Sequence, residues 1–117
     1  MDAHRQLVAW QRCRALALET YRATEGFPPS ERFGLMSQLR RAAVSAAANI
    51  AEGYARYGRA ELAHALSVSL GSLAEVDTLL EIANNLGYVT PESYAELSGL
   101  RKEASRVTFG LQRKVRR

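Results

Sequence analysis

The feature that most constrains this chain is a run of small side chains at helical spacing. From Phe27 to Gly53 it reads FPPSERFGLMSQLRRAAVSAAANIAEG, with alanine filling most of the middle. Apolar or small residues recur in steps of four and three, the spacing of helices that pack side by side. The stretch therefore predicts the central packing helix of an all-α fold. Its predicted seam is Leu35, Leu39, Ala42, Ala46, Asn49 and Gly53.

Three further segments have the helical period, and short breaks separate them. Gly26 with the following prolines, then Gly58, then Gly87 mark the breaks. No segment alternates with period two, so we expect no strand. Short loops between long helices favour antiparallel neighbours. The sequence therefore predicts one domain over residues 1–117, an antiparallel up-down-up-down four-helix bundle. Its predicted helices cover about 3–24, 31–57, 60–86 and 91–115.

Helix starts and inward faces follow from the same pattern. Asp2, Ser30 and Thr90 are predicted N-caps, the last strengthened by Pro91. The third helix has two predicted apolar stripes, which would bury a wide face. In the middle of that helix Gly71 suggests a close helix crossing. The first stripe is Leu62, Leu66, Ser69, Leu73, Val76, Leu80 and Ala83, and the second is Val68, Ser72, Leu79, Ile82 and Leu86.

The first helix also has a predicted inward face. It should bury Leu7, Trp10, Cys13, Leu16, Ala17 and Tyr21.

Charge is segregated along the chain. Residues 1–59 carry nine arginines and five acids, residues 60–97 carry six acids and no Lys or Arg, and residues 98–117 carry seven cations and one acid. Arginine suits bidentate contacts with carboxylate or phosphate. Two interpretations stay open: acidic and basic helices complement each other within the fold or between subunits, or a basic face binds nucleic acid.

A polar strip lies beside the alanine seam of the second helix. It can be a functional site or a buried network that decides which helices pair, and we favour the pairing network. Its groups include no nucleophile and no base suited to neutral pH, so we expect no enzyme activity. The predicted members are Arg40, Arg41, Ser45, Asn49, Glu52 and Gly53, with Arg56 within reach of Glu52 and with Glu75 on the third helix.

Metal and cofactor sites are not indicated. His64 stands alone in its helix, and Cys13 lies among apolar residues as a predicted core thiol. The chain has no glycine-rich phosphate loop and no zinc spacing. We therefore expect neither a metal nor a cofactor.

The last helix carries the best predicted binding surface. An aromatic ring among cations can stack on a base while the cations contact phosphates. The same ring can instead form a subunit contact, or the surface can be uninvolved. The candidate residues are Lys102, Arg106, Phe109, Arg113, Arg116 and Arg117.

Three segments in fixed order carry a family resemblance: FPPSERFGL, QLRRAAVSAAANIAEG and GSLAEVDTLLEIANNLGY. They resemble the bacterial four-helix-bundle proteins first seen encoded in intervening sequences of large-subunit ribosomal RNA genes. A related branch is the accessory variability protein of diversity-generating retroelements, which binds nucleic acid and a reverse transcriptase. The resemblance implies an antiparallel bundle assembled into a ring-like pentamer. Ala46 and Ala47 depart from the family pattern, which has larger residues and often proline there.

Together these observations predict a non-enzymatic, self-associating scaffold or binding module with RNA or DNA contact through a basic surface. The alternative is a purely structural or protein-partner oligomer. No apolar run approaches the roughly 20 residues of a membrane helix, and the single cysteine fits a reducing compartment. We expect a cytoplasmic protein with no membrane contact.

Overall fold

The computed structural model describes residues 3–56 and 58–116, and this part of the chain forms four α-helices. Each helix packs against the next one in sequence, and the last packs back against the first. The result is an elongated bundle measuring 43 × 23 × 20 Å, which confirms the predicted all-α antiparallel four-helix bundle. The helices are α1 (Val8–Thr24), α2 (Leu35–Ala55), α3 (Arg59–Asn85) and α4 (Pro91–Arg116), with short 3-10 helices at Ala3–Gln6 and Pro29–Glu31.

The start of α1 differs from the prediction. Leu7 has an extended backbone, with φ −75° and ψ 125°, so the preceding 3-10 helix and α1 are separate elements. The Gln11 side chain donates a hydrogen bond of 2.8 Å to the carbonyl of Arg5 and ties the two together. Asp2, the predicted cap, lies outside the described residues. Tyr21 is 45% exposed rather than inward, and its ring lies under the guanidinium of Arg40 from α2.

The start of α2 also differs. Ser30 does not cap it, because Pro29–Glu31 form a 3-10 helix and α2 begins only at Leu35. A carboxylate takes the role predicted for Ser30: Oε1 of Glu31 accepts a hydrogen bond of 2.9 Å from the Leu35 amide. At its other end α2 stops at Ala55, and Tyr57, the predicted last residue, lies outside the described part of the chain.

The core lies where the seams of α2 and α3 meet. Along α2 the seam is as predicted except at Asn49, which is only half buried, while Ile50 is fully buried. A bulky apolar side chain fills the core better than an amide that needs hydrogen-bond partners. The first stripe of α3 is buried as predicted, apart from the partly buried Leu62.

The second stripe of α3 is only partly buried. Ser72 and Leu79 are buried, but Val68, Ile82 and Leu86 are 38%, 43% and 54% exposed. The predicted close crossing at Gly71 is also wrong within the subunit, since a Cβ atom there would have no atom within 4 Å. One face of α3 that the sequence pattern assigned to the core therefore faces outward.

The turn between α3 and α4 follows the predicted signals. Gly87 has a positive φ of 79°, and the Tyr88 amide donates to the Ala83 carbonyl at 2.9 Å, as in a glycine-ended helix. Thr90 caps α4, its Oγ1 accepting a hydrogen bond of 3.0 Å from the Ser93 amide. This loop is also fixed to the 3-10 helix that precedes α2, because the Tyr88 hydroxyl donates to Oε2 of Glu31 at 3.0 Å.

Candidate functional site

The basic face of α4 consists of Lys102, Arg106, Phe109, Arg113 and Arg116, all exposed. Steps of three and four residues place them along one side of the helix, away from the buried Ala104 and Thr108. The structure thus brings these five predicted residues onto one surface. Arg117, the sixth, lies outside the described residues.

An acid lies within this surface. Arg106 donates two hydrogen bonds to Glu103, Nε to Oε1 at 3.2 Å and Nη2 to Oε2 at 2.8 Å. Nε of Arg12, on the adjoining α1, lies 3.7 Å from the same carboxylate. The hydrogen bond from Arg106 is the largest cause that holds the pKa of Glu103 below its ordinary value, and the charges of both arginines add to it. Two cations share one anion, so the cluster remains net positive.

Arg12 is a member of this surface that sequence reasoning missed. Its spacing within α1 marks it only as an outward residue. The closure of α4 on α1 places it beside Glu103, and no local pattern could indicate that neighbour.

The aromatic member of the face is accessible. Phe109 is 52% exposed, and Cζ of Arg113 lies 6.0 Å from its ring centroid. That distance is at the outer limit of a cation–π contact, so the guanidinium does not cover the ring. A flat apolar ring beside exposed cations suits a nucleobase with its phosphates, and it also suits an apolar protein contact.

The end of α4 is anchored to α3. Arg59 donates to the carbonyls of Val115 and Lys114 at 2.9 and 3.3 Å, which satisfies acceptors that a helix end leaves open. Nη2 of Arg116 lies 3.4 Å from the Ser67 hydroxyl. The C-terminal end of the basic face is therefore fixed in place against α3.

The polar strip predicted on α2 does not form one cluster. Ser45 and Asn49 face α3: the Asn49 amide donates to the carbonyl and the hydroxyl of Ser45, at 2.8 and 3.0 Å, and Ser72 donates to the Ser45 hydroxyl at 3.0 Å. Nearby, Gly53 is buried directly against Ala65. These residues join α2 to α3.

Arg40 faces the other way, toward α1. It donates to the Thr24 hydroxyl at 2.7 Å and to the Tyr21 carbonyl at 3.2 Å, and its guanidinium lies 4.4 Å from the Tyr21 ring centroid. Arg41 and Glu75 are exposed on α2 and α3 respectively. Glu52 is exposed too, and forms an ion pair with Arg56 at 3.0 Å. A role in pairing stays a prediction for these residues.

Cys13 and His64, the remaining titratable candidates, lie apart from each other. Cys13 is fully buried, and burial raises the pKa of its thiol. His64 lies in an open groove between α2 and α3, with Asn49 and Glu61. Among the described residues, no three His, Cys, Asp or Glu side chains are grouped as they would need to be to hold a metal ion.

The fold and this surface define a class of protein: a four-helix bundle with an exposed basic helix face. The chain belongs to the 23S rRNA-intervening sequence protein family, whose model matches residues 5–110. This confirms the resemblance carried by the three sequence segments.

A solved structure shares the fold. A protein with unknown function from the S23 ribosomal protein family of Bacteroides thetaiotaomicron superposes with a TM-score of 0.83 at 20% sequence identity, covering 91% of this chain and 96% of that one. A search of curated proteins found no match. In the part of the chain that the structure describes, no helix is long and apolar enough to cross a membrane.

Proposed function

We propose that this protein is a cytoplasmic, non-enzymatic scaffold or binding module that self-associates and contacts RNA or DNA through the basic face of α4. The observation that carries the nucleic-acid contact is the half-exposed Phe109 ring set among exposed cations on one helix face. Stacking on an aromatic ring and charge contact with phosphates are the two components of sequence-tolerant binding to single strands. Self-association into a pentamer is the assembly that the family resemblance implies.

Binding to a fluorescently labelled single-stranded RNA, followed by anisotropy at several salt concentrations, tests the contact. The slope of log K against log salt is negative, and each phosphate contact that is lost should make it less steep by roughly 0.7 for a single strand. We expect Arg113→Glu to weaken binding at least about tenfold and to flatten this slope. Phe109→Ala should weaken binding with little change in slope, because a ring contributes stacking and no counterion release.

The chain offers a matched control for both changes. Arg32 lies over the exposed Phe33 ring, with Cζ 5.5 Å from the centroid, but this pair lies outside the basic face of α4. Arg32→Glu and Phe33→Ala make the same changes of charge and ring area at the other site. Equal losses from both pairs would contradict a specific role for α4.

Light scattering on the same variants tests the alternative, in which the protein is a purely structural oligomer without nucleic-acid binding. If Phe109 forms a subunit contact instead, Phe109→Ala lowers the mass of the assembly in light scattering. The proposed function expects an unchanged mass and weaker RNA binding. For the assembly itself, we expect five times the subunit mass of 12.9 kDa, and a monomer at micromolar concentration would contradict it.

A further inference from the structure

A groove on the outer side of α1 and α2 exposes apolar side chains. Leu18, Tyr21 and Val44 line it, each more than 40% exposed, and Ala48 lies beside them. None of its nine lining residues is acidic, and Arg5 and Arg14 are among them. Exposed apolar side chains that lie together on a surface mark sites of association. We call this surface the α1–α2 groove.

Arginines are held along its edges. The guanidinium of Arg5 lies 5.4 Å from the Trp10 ring centroid, and that of Arg40 lies 4.4 Å from the Tyr21 centroid. Within the described residues, no carboxylate lies at ion-pair distance from Arg5, Arg14 or Arg40. The groove therefore combines an apolar floor with uncompensated positive charge. Guanidinium groups already lie over both aromatic rings, which favours a protein occupant over stacked bases.

The outer face of α3 has the complementary character. It consists of Val68, Gly71, Glu75, Thr78 and Ile82, all exposed and spaced in steps of three and four. Residues 60–97 contain no Lys or Arg, and among the described residues no cation lies at ion-pair distance from Glu75. A Cβ atom at Gly71 would have no atom of the subunit within 4 Å, so the backbone of α3 is open to close approach at this point of the face.

We propose that the outer face of α3 from one subunit docks in the α1–α2 groove of a second copy. Val68 and Ile82 contact the apolar floor, the missing side chain of Gly71 allows close approach of the helices, and Glu75 meets the arginine edges. This inference rests on the proposed self-association and specifies its contact. Each subunit offers both surfaces at different places, so the contact is head-to-tail, the kind of contact from which closed rings are built. The basic face of α4 belongs to neither surface.

A steric substitution tests the contact without disturbing the subunit. Gly71→Leu adds a side chain where the subunit leaves open space, and Gly99→Leu does the same on α4. By multi-angle light scattering at micromolar concentration, we expect Gly71→Leu to reduce the mass to the 12.9 kDa of one subunit. Gly99→Leu should keep the mass of the unaltered protein. Circular dichroism melting of both variants checks that the bundle is intact.

Mixing two charge variants tests which surfaces meet. Glu75→Arg alters only the outer face of α3, and Val44→Glu alters only the α1–α2 groove. Each alone should associate at least about tenfold more weakly than the unaltered protein. Together they should regain association, because the intact groove of one accepts the intact α3 face of the other, and the two altered surfaces are again opposite in charge.

The possible results separate this inference from the proposed function. A monomeric unaltered protein overturns both the self-association and this contact. If the unaltered protein is an oligomer and Gly71→Leu has the same mass, the contact alone is overturned. The same holds if the mixture of Glu75→Arg and Val44→Glu stays dissociated. If Val44→Glu keeps its mass but loses RNA binding, the groove belongs to nucleic acid and the inference is wrong.

Discussion

Gly53 of α2 lies so close to Ala65 of α3 that a Cβ atom at position 53 would overlap the Cβ of Ala65. Both residues are buried, and this is the closest approach that the glycines of the described chain make to a neighbouring helix. The small residues at this end of the α2 seam thus have a specific cause, which is the near contact of two helix backbones.

Gly53→Ala should therefore destabilise the bundle. Overpacking costs about 1–3 kcal/mol, whereas replacing glycine by alanine inside a helix gains about 1 kcal/mol. We expect the free energy of unfolding in urea to fall by about 1 kcal/mol. Gly99→Ala, where a Cβ meets nothing, should raise it by about 0.5–1 kcal/mol. If Gly53→Ala instead stabilises the bundle, the helices can move apart at no cost in free energy. If Gly53→Ala destabilises it, the second substitution Ala65→Gly should restore part of the lost free energy of unfolding.

Glu31 connects the start of α2 to the turn between α3 and α4, so its removal should weaken both contacts. One carboxylate oxygen accepts from the Leu35 amide at 2.9 Å and the other from the Tyr88 hydroxyl at 3.0 Å. Glu31→Ala should lower the free energy of unfolding by about 1–2 kcal/mol, as loss of a helix cap with a second hydrogen bond does. Tyr88→Phe removes only the second contact and should cost about 1 kcal/mol or less. Equal losses in denaturant titrations would mean that the Leu35 contact contributes nothing.

Cys13 should be almost unreactive while the bundle is folded. Its side chain is fully buried, and burial raises its pKa, so both access and thiolate fraction are low. We expect modification by a thiol reagent to be at least about a hundredfold slower than in denaturant, because exposing a core helix requires most of the unfolding free energy. Comparable rates in the two conditions would show that α1 opens locally.

The Glu103 cluster should make stability depend on acid pH. The hydrogen bond from Arg106 is the chief cause that holds the folded pKa of Glu103 below its ordinary value, so the stabilisation is fully present above that ordinary value. The contribution is lost as the pH falls through the lowered pKa. In carboxyl-carbon NMR titrations, Arg106→Gln should move the Glu103 midpoint upward more than Arg12→Gln does. If Glu103 of the unaltered protein titrates at or above the midpoint measured for the unfolded chain, the cluster is contradicted.

Local periodicity predicted most of the fold. The first stripe of α3 and the seam of α2 are regular over several turns, so the packing faces follow directly from the sequence. The pattern cannot state how wide the buried face is, because that depends on where the neighbouring helices lie. Val68 and Ile82 continue an apolar stripe and yet stay 38% and 43% exposed, since the neighbouring helices cover only part of each side chain.

The candidate site was predictable on one helix and not between helices. The basic face of α4 follows from spacing alone, whereas Arg12 joins it only through the packing of α1 on α4. Arg40 and Arg41 show that residues adjacent in sequence can also be separated by the fold. They are adjacent in sequence and chemically alike, but a rotation of about 100° per residue sends Arg40 to α1 and leaves Arg41 on the surface.

The Ser45–Ser72 hydrogen bond and the Gly53–Ala65 contact together restrict how the bundle can move. The two contacts are about 12 Å apart along α2 and about 10 Å apart along α3, at 1.5 Å per residue. One such contact would permit α3 to pivot on α2, but two at that separation remove the pivot. The two contacts therefore fix the angle at which the second and third helices cross.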